Sequence, residues 1–195
     1  YLKKVKQRCE EVGALLIVDE IQTGIGRTGK FWGFEHFKII PDIIISGKGL
    51  GGGMPIGAFI AQKNLMDVLK EHPTLGHITT FGGHPVIASA GVATVNTIQN
   101  STLIEDTLEK EQLIRSLLKH PLIKEIRGKG LMLAALVESP EIAAKIIHRC
   151  LANGLILFFL LFEGRAIRIT PPLTISKKEI SKGCKILLEI LDELS

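Results

Sequence analysis

Two short, continuous apolar runs constrain the fold of this chain more than any other feature. Residues 14–18 form the first run, which ends at Asp19, and residues 43–45 form the second, which Ser-Gly-Lys48 follows. Runs of this kind are typical of strands buried on both faces of a parallel sheet. A third run, residues 56–61, comes after a glycine-rich turn. The succession of strand, connection, strand, turn and strand predicts an α/β layer.

Asp19 and Lys48 stand at the ends of the first two predicted strands, at the sheet edge where α/β proteins bind ligands. Alone, the aspartate would be a turn cap and the lysine a solvated side chain. Together they match pyridoxal 5'-phosphate (PLP) chemistry. A lysine amine forms an imine with the cofactor aldehyde, and a carboxylate facing the pyridine nitrogen keeps the ring able to accept electrons. Glycines at 47, 49 and 51–53 let the backbone approach a bulky ligand.

A glycine motif between the two strands offers a competing interpretation. Gly24-Ile-Gly-Arg-Thr-Gly29 matches G-x-G-x-x-G, the pattern of dinucleotide-binding folds. Such a fold requires a helix that starts inside the motif and an acidic residue at the end of the next strand. An aromatic run broken by Gly33 follows here, and the next strand ends in Lys48. The motif therefore does not support a nucleotide-binding oxidoreductase.

Helices and strands continue along the rest of the chain. Residues 1–11 have the spacing of a surface helix, Pro85 opens a packed helix to residue 97, and polar residues 100–102 predict a hinge. The elements predicted after the hinge are a helix over 103–120, a strand over 131–137, a helix over 140–153 closed by Gly154, strands over 155–161 and 166–169, and a helix over 176–194. In the last helix, Ser176 is the predicted N-cap and Glu179 completes a capping box.

Composition argues against several classes of function. The formal charge of +4 comes without a basic run or an aromatic platform, so nucleic-acid binding has no support. The longest apolar run has eight residues, too few to cross a membrane. Three widely spaced cysteines suit a reducing, cytoplasmic location. His36, His77 and His84 lack metal-ligand spacing, so no metal site is expected.

Longer motifs around these residues resemble the class III family of PLP-dependent aminotransferases. The motifs are Leu16-Ile-Val-Asp-Glu-Ile-Gln-Thr-Gly-Ile-Gly-Arg-Thr-Gly29, Ser46-Gly-Lys-Gly-Leu-Gly-Gly-Gly-Met-Pro-Ile-Gly57, Thr79-Thr-Phe-Gly-Gly-His-Pro85 and Ile167-Arg-Ile-Thr-Pro-Pro-Leu173. They occur in the family's order, and the interval from Asp19 to Lys48 (48 − 19 = 29 residues) is also the family's. His84 stands where the family usually has asparagine.

The resemblance implies an α/β fold, the PLP-dependent transferase fold type I. Residues 1–99 would be the C-terminal part of its large parallel-sheet domain, and residues 100–195 its small C-terminal α/β domain. Family chains are about twice as long, and this chain opens without Met inside a helical pattern. We therefore expect it to be the C-terminal half of a longer protein. The resemblance also implies that this protein forms a homodimer.

The resemblance also implies a role for each of six residues. Lys48 matches the Schiff-base lysine, Asp19 the partner of the pyridine nitrogen, Ile21 the apolar residue on one ring face, Gln22 the glutamine near the ring hydroxyl and the substrate, Thr80 the threonine that binds the cofactor phosphate across the dimer interface, and Arg168 the arginine that clamps a substrate carboxylate. The planar fork of an arginine suits such a bidentate contact.

Gln22 and Arg168 together resemble the acetylornithine, ornithine and 4-aminobutyrate enzymes, and the glycine run 51–53 favours the first two. The expected reaction is transfer of a terminal (omega) amine to 2-oxoglutarate. Two alternatives stay open: a catalytically incomplete fragment that needs the missing N-terminal half, and a 4-aminobutyrate-type aminotransferase. Gln22 and Arg168 disfavour a third alternative, an aminomutase of the same fold.

Overall fold

The computed structural model describes residues 1–71, 73–74 and 76–195, which form two compact units. The first unit contains Tyr1–Gly26 and Lys30–Thr102, and the second contains Arg27–Gly29 and Leu103–Ser195. The three residues Arg27–Gly29 thus belong to the second unit although they lie within the sequence span of the first. The predicted division between residues 99 and 100 places these three residues in the first domain, because a single boundary along the sequence cannot separate them from their neighbours.

The first unit is a three-stranded sheet with helices. Its elements are α1 (Leu2–Val12), β1 (Ile17–Asp19), β2 (Ile43–Gly47), β3 (Gly57–Ala61), α2 (Lys63–Asp67) and α3 (Pro85–Gln99), with short 3-10 helices at Gly33–Phe37, Lys48–Gly51 and Val68–Lys70. The strand order is β1-β2-β3, with β1 parallel and β3 antiparallel to β2. The connection from β2 to β3 is too short for the crossover that a parallel neighbour requires. One strand of the predicted parallel layer is therefore reversed.

The first predicted strand is shorter and more exposed than its apolar run indicates. The strand contains only Ile17–Asp19, and Leu15 and Ile17 are 52% and 54% exposed. Only Leu16 of this run is buried. Within the described residues β1 pairs with β2 alone, so one edge of the strand has no neighbour. The prediction that this strand is buried on both faces is wrong for the unit as it stands.

Helix α3 packs against the segment that carries Lys48. Proline occupies its first turn as predicted, and Nδ1 of His84 caps it by accepting a hydrogen bond from the Val86 N–H at 3.3 Å. A β-carbon at Gly91 would lie 3.4 Å from Cδ1 of Ile56 and 3.7 Å from the carbonyl oxygen of Leu50, so the helix backbone lies close to the 3-10 helix 48–51. The small residue allows this approach.

The second unit is an antiparallel sheet covered by helices. Its elements are α4 (Leu103–Leu117), β4 (Glu125–Lys129), β5 (Met132–Leu136), α5 (Pro140–Ala152), β6 (Phe158–Phe159), β7 (Ala166–Ile169) and α6 (Lys177–Asp192), and the strand order is β4-β5-β7-β6. The core combines strand residues such as Leu133 and Ile167 with helix residues such as Ile114, Ile146 and Leu191, each at most 2% exposed. Burial of this apolar face is the main stabilising contribution to the unit.

Two strands of the second unit differ from the sequence prediction. Strand β4 (Glu125–Lys129) was not predicted, because its mostly polar residues give no apolar alternation. Gly128 within it has φ 114°, and a β-carbon there would lie 2.0 Å from the Met132 carbonyl oxygen. The apolar run 155–161 yields only the two strand residues of β6. No helix among the described residues is long and apolar enough to span a bilayer.

The N-cap of α6 gives a test of the fold itself. Ser176 Oγ accepts a hydrogen bond from the Glu179 N–H at 3.2 Å, and Glu179 Oε2 accepts one from the Ser176 N–H at 2.8 Å, which confirms the predicted capping box. We expect Ser176→Ala to lower the free energy of unfolding by about 1 kcal/mol, because an N–H of the first turn loses its acceptor. Urea denaturation measures this. Ser181→Ala, which removes an exposed hydroxyl bonded within the same helix, serves as the control and should change little.

Candidate active site

Asp19 and Lys48 lie at the carboxyl ends of two hydrogen-bonded parallel strands. Asp19 is the register partner of Ile45 in β2, and Lys48 follows three residues later (48 − 45 = 3) as the first residue of a 3-10 helix. The ladder continues past Asp19, because the Glu20 N–H donates to the Ile45 carbonyl oxygen at 2.8 Å. Both residues therefore stand at the sheet edge predicted from the sequence.

Lys48 combines an unusual backbone conformation with a free side chain. Its φ is 39°, a positive value that residues other than glycine seldom adopt. Its side chain is exposed and has no hydrogen-bond or ion-pair partner among the described residues. Backbone outliers of this kind concentrate at functional sites, where the surrounding structure maintains them. Among the described residues, none buries the Lys48 amine.

Two isoleucines of the turn after β1 pack against the glycines that precede and follow Lys48. A β-carbon at Gly47 would lie 3.6 Å from Cγ2 of Ile21, and one at Gly49 would lie 3.5 Å from Cβ of Ile25. Ile25 is buried and has φ 56°, which is unfavourable for a β-branched residue. The turn is thus held against the backbone that flanks Lys48.

The two carboxylates that end β1 have opposite environments. Asp19 is exposed, and its Oδ1 accepts a hydrogen bond from the Ile21 N–H at 2.9 Å. Glu20 is 1% exposed, and its carboxylate accepts hydrogen bonds from Thr23 Oγ1, the Gly33 N–H and the Phe34 N–H. Glu20 lies within the motif 16–29, and no role for it was predicted from the sequence. The available signal was that two adjacent carboxylates at a strand end point to opposite faces.

The glycine motif 24–29 forms turns rather than the start of an α-helix. Gly24 is required by packing, because a β-carbon there would lie 2.9 Å from the Trp32 ring, and Gly26 and Gly29 have φ of 83° and 84°. The next helical segment is the short 3-10 helix Gly33–Phe37. These features agree with the rejection of a dinucleotide site.

Gln22 and Thr80 lie in turns of the first unit. Gln22 is half-buried in the turn after β1, and Thr80 is exposed in the turn that precedes α3. Neither side chain has a hydrogen-bond partner within the part of the chain that the structure describes. The Thr80 turn is shaped by Gly83, whose φ is 71°, and by a hydrogen bond from the Gly82 N–H to the Thr79 carbonyl oxygen at 3.2 Å. Both side chains are free to contact a ligand.

Arg168 lies on β7 of the second unit and is half-buried rather than solvated. Its guanidinium carbon lies 5.2 Å from the ring centroid of Phe158, its register partner on β6. An arginine over an aromatic face in this range is stabilised by a cation–π interaction. Nε of Arg168 is buried and has no hydrogen-bond partner among the described residues. No carboxylate of the described residues pairs with Arg168, so its fork is open to an anion.

Two further cations, for which no role was predicted from the sequence, hold the segment that follows Arg168. Arg27 donates to the carbonyl oxygens of Pro171 at 2.5 Å and Leu131 at 3.2 Å, and burial lowers the pKa of its guanidinium. Lys110 is 7% exposed and donates to the Leu173 carbonyl oxygen at 2.6 Å. Helical spacing was a usable signal for Lys110, since it falls on the buried face of α4.

A serine, a histidine and an aspartate also meet near the C-terminal residues. His120 Nε2 lies 3.2 Å from Asp192 Oδ1 and 3.4 Å from Ser195 Oγ. His120 Nδ1 accepts a hydrogen bond from the Leu122 N–H at 3.2 Å, so the ring hydrogen is on Nε2. A histidine in this tautomer cannot take a proton from the serine through Nε2. The cluster is therefore not a hydrolytic triad.

The two buried cysteines, Cys150 and Cys184, are unsuited to nucleophilic chemistry. Burial raises the pKa of the Cys150 and Cys184 thiols from 9.0 to about 11, which lowers their thiolate fraction at pH 8 about 100-fold. We expect iodoacetamide at pH 8 to alkylate the partly exposed Cys9 first in the native protein. Peptide mass spectrometry would detect this order, and urea should equalise the three. Preferential labelling of Cys184 in the native state would contradict the assignment.

No group of three or more metal-binding side chains occurs in the described ranges.

Known proteins are similar to this chain in sequence and in fold. The sequence profile described as Aminotransferase class-III matches residues 1–191. The acetylornithine aminotransferase of Caldanaerobacter subterraneus subsp. tengcongensis is 40% identical over 100% of this chain and 49% of its own length. The leucine/methionine racemase of Thermococcus litoralis is also 40% identical, over 94% of this chain and 43% of its own length.

Solved structures lead to the same family. The acetylornithine aminotransferase of Elizabethkingia anophelis superposes with a TM-score of 0.89 at 36% identity, over 98% of this chain and 51% of that one. The chain therefore spans about half the length of the proteins it matches and has the fold of the corresponding part of a PLP-dependent aminotransferase. With its profile matched almost from end to end, the chain belongs to the class III aminotransferase family, whose members use PLP.

Proposed function

We propose that the protein transfers the terminal amine of N-acetylornithine or ornithine to 2-oxoglutarate, with PLP held by Lys48. The observation that carries the proposal is the position of two exposed side chains at the carboxyl ends of neighbouring parallel strands. One is a lysine at φ 39° that has no partner among the described residues, and the other is the carboxylate of Asp19. The family of the chain supplies the reaction type, and the names of its relatives support the substrate class.

The side chains of the first unit fit the cofactor chemically. PLP requires an amine for its aldehyde, a carboxylate for its ring nitrogen, an apolar contact for its ring and donors for its phosphate. Lys48, Asp19, Ile21 and Thr80 offer these groups in turn, and the polar ends of Lys48 and Thr80 have no competing partner among the described residues. Bound PLP would supply an electron sink for the carbon that loses a proton.

Each residue of this chain would have a distinct task in the reaction. After the substrate amine has displaced it, the Lys48 amine would carry a proton between the substrate carbon and the cofactor carbon. Asp19 would keep a proton on the pyridine nitrogen through its negative charge. Gln22 would contact the ring hydroxyl and the substrate, and Arg168 would bind the substrate carboxylate through its planar fork.

The choice of amino donor is tested by a substrate panel on the full-length protein. N-acetylornithine, ornithine, 4-aminobutyrate and lysine would each be supplied with PLP, with and without 2-oxoglutarate, and both loss of the donor and formation of glutamate would be measured. We expect the first two to give the highest kcat/KM. Turnover that needs no 2-oxo acid would instead favour a racemase or an aminomutase, and a racemase relative exists at equal identity. Highest activity with 4-aminobutyrate would overturn the proposed donor.

We further propose that the active form is a cytoplasmic homodimer in which Thr80 binds the phosphate of the cofactor in the partner subunit. The exposed β1 edge and the exposed apolar side chains of the first unit support an incomplete site in the isolated chain. Adding PLP to the chain of residues 1–195 and to the full-length protein would compare them. We expect the visible absorbance of lysine-bound PLP to be weak in the former and full in the latter.

A further inference from the structure

Among the described residues, Glu20 is the most deeply buried carboxylate, and hydrogen-bond donors surround it. It follows Asp19 directly, yet only 1% of its surface is exposed. Its Oε2 lies 2.5 Å from Thr23 Oγ1 and 2.9 Å from the Gly33 nitrogen, and its Oε1 lies 2.8 Å from the Phe34 nitrogen. All three partners donate. A buried carboxylate with three donors is a strong cross-link, because charge-assisted hydrogen bonds exceed neutral ones.

The cross-link joins the turn after β1 to the loop that follows it. Thr23 belongs to the turn, whereas Gly33 and Phe34 begin a 3-10 helix ten residues later (33 − 23 = 10). The two segments approach so closely that a β-carbon at Gly33 would lie 3.0 Å from Cβ of Thr23, and one at Gly24 would lie 2.9 Å from the Trp32 ring. Glycine at these positions allows the contact, and Glu20 supplies the polar bonds within it.

The same turn forms one wall of the Lys48 segment. Ile21 packs over Gly47, where an added β-carbon would lie 3.6 Å from Ile21 Cγ2. Ile25 packs over Gly49, where an added β-carbon would lie 3.5 Å from Ile25 Cβ. The Ile21 N–H also donates to Asp19 Oδ1 at 2.9 Å, so the turn orients the exposed carboxylate as well. A change in the position of this turn would move groups beside both Lys48 and Asp19.

We propose that Glu20 is a positioning residue, which holds the turn 21–25 against the backbone of residues 47–49 and thereby sets the cofactor site. The cofactor part of this inference rests on the proposed function. Glu20 touches neither PLP nor substrate in this arrangement and acts through Asp19, Ile21 and Gln22. Both carboxylate oxygens must accept, because the Gly33 N–H faces Oε2 and the Phe34 N–H faces Oε1, and a backbone N–H can only donate.

Glu20→Gln tests the requirement with little change in shape. The amide offers one acceptor oxygen, so its NH2 group must face an N–H donor of Gly33 or Phe34. Thr23→Val is a milder variant that removes only one of the three bonds and keeps the carboxylate. Glu35→Gln is the matched control, since exposed Glu35 accepts a hydrogen bond from the Trp32 N–H at 3.2 Å without joining the loop to the turn.

Backbone hydrogen–deuterium exchange in the full-length, cofactor-free protein gives the first measurement. We expect Glu20→Gln to accelerate exchange about tenfold in residues 21–34 and also in residues 47–51, with a smaller effect of Thr23→Val in both segments. Glu35→Gln should leave 47–51 unchanged. If both test variants accelerate only residues 21–34, or neither segment, Glu20 does not position the Lys48 backbone and the inference is overturned.

The PLP dissociation constant and kcat of the same variants give the second measurement. We expect Glu20→Gln to weaken PLP binding and lower kcat about tenfold each, an effect of the size seen when partners that orient ligand-holding groups are removed. Normal PLP affinity with accelerated exchange would reduce Glu20 to a structural role. If the wild-type protein binds no PLP, the proposed function fails, whereas the exchange result on the cofactor-free protein still decides whether Glu20 holds the turn.

Discussion

Replacing Lys48 by alanine in the full-length protein should abolish the visible absorbance of lysine-bound PLP and lower kcat by at least about 10³-fold. The amine would be both the covalent anchor of the cofactor and the carrier of a proton, and a positioned acid–base group alone contributes about 10²- to 10⁴-fold. No residue of the described chain bonds to the Lys48 side chain, so its removal should not unfold the protein. Thermal unfolding of the variant would establish this.

Lys38→Ala is the matched control for this substitution. Lys38 is also an exposed lysine of the first unit, and its φ of 52° is also positive. Its replacement tests whether truncating a lysine in the left-handed region is harmful in itself. We expect normal absorbance and turnover from Lys38→Ala. A Lys48→Ala protein that stays yellow and active would refute the assignment of Lys48.

Asp19→Asn should lower kcat about 10²- to 10³-fold while PLP binding weakens much less. Asparagine preserves the shape, and its carbonyl oxygen can still accept the hydrogen bond from the Ile21 N–H, so the turn should remain in place. The negative charge beside the pyridine nitrogen is lost, and removing one preorganised electrostatic group at a site of developing charge typically costs this much. Steady-state kinetics with a PLP titration separates the two effects.

Asp42→Asn provides the contrast, because Asp42 serves the fold. It accepts hydrogen bonds from the Leu16 N–H at 2.7 Å and from Lys6, and these lower the pKa of its carboxyl group. A lowered pKa in the folded state means that the stabilisation is present near neutral pH and is lost as the pH falls through that pKa. We expect Asp42→Asn to reduce stability at pH 7 and leave kcat unchanged. Equal turnover of Asp19→Asn and wild type would count against the role of Asp19.

Much of the local structure could be predicted because it depends on neighbouring residues. Ser176 and Glu179 form their capping box, Pro85 opens α3, and Gly154 follows the end of α5 with φ 80°, all from interactions within a few positions. The placement of Asp19 and Lys48 at adjacent strand ends also followed from two apolar runs, since parallel strands present their carboxyl ends at one edge.

Features that depend on distant partners could not be predicted in this way. Strand β4 has no apolar alternation and exists because β5 offers it a partner. Arg27 belongs to the second unit because its donors reach carbonyl oxygens more than 100 residues away. Arg168 is half-buried because its partner on β6 is an aromatic ring, whereas strand alternation alone allowed a solvated side chain.

The pair that ends β1 shows where sequence reasoning stops. From the sequence alone, a carboxylate follows the strand and faces the lysine of the next strand, because apolar runs and charged ends determine strand and edge. Only the tertiary structure decided which of two adjacent carboxylates is exposed and which is buried. Asp19 remains open to a ligand, and Glu20 is enclosed, because the N–H groups of Gly33 and Phe34, more than ten residues along the chain, converge on its carboxylate.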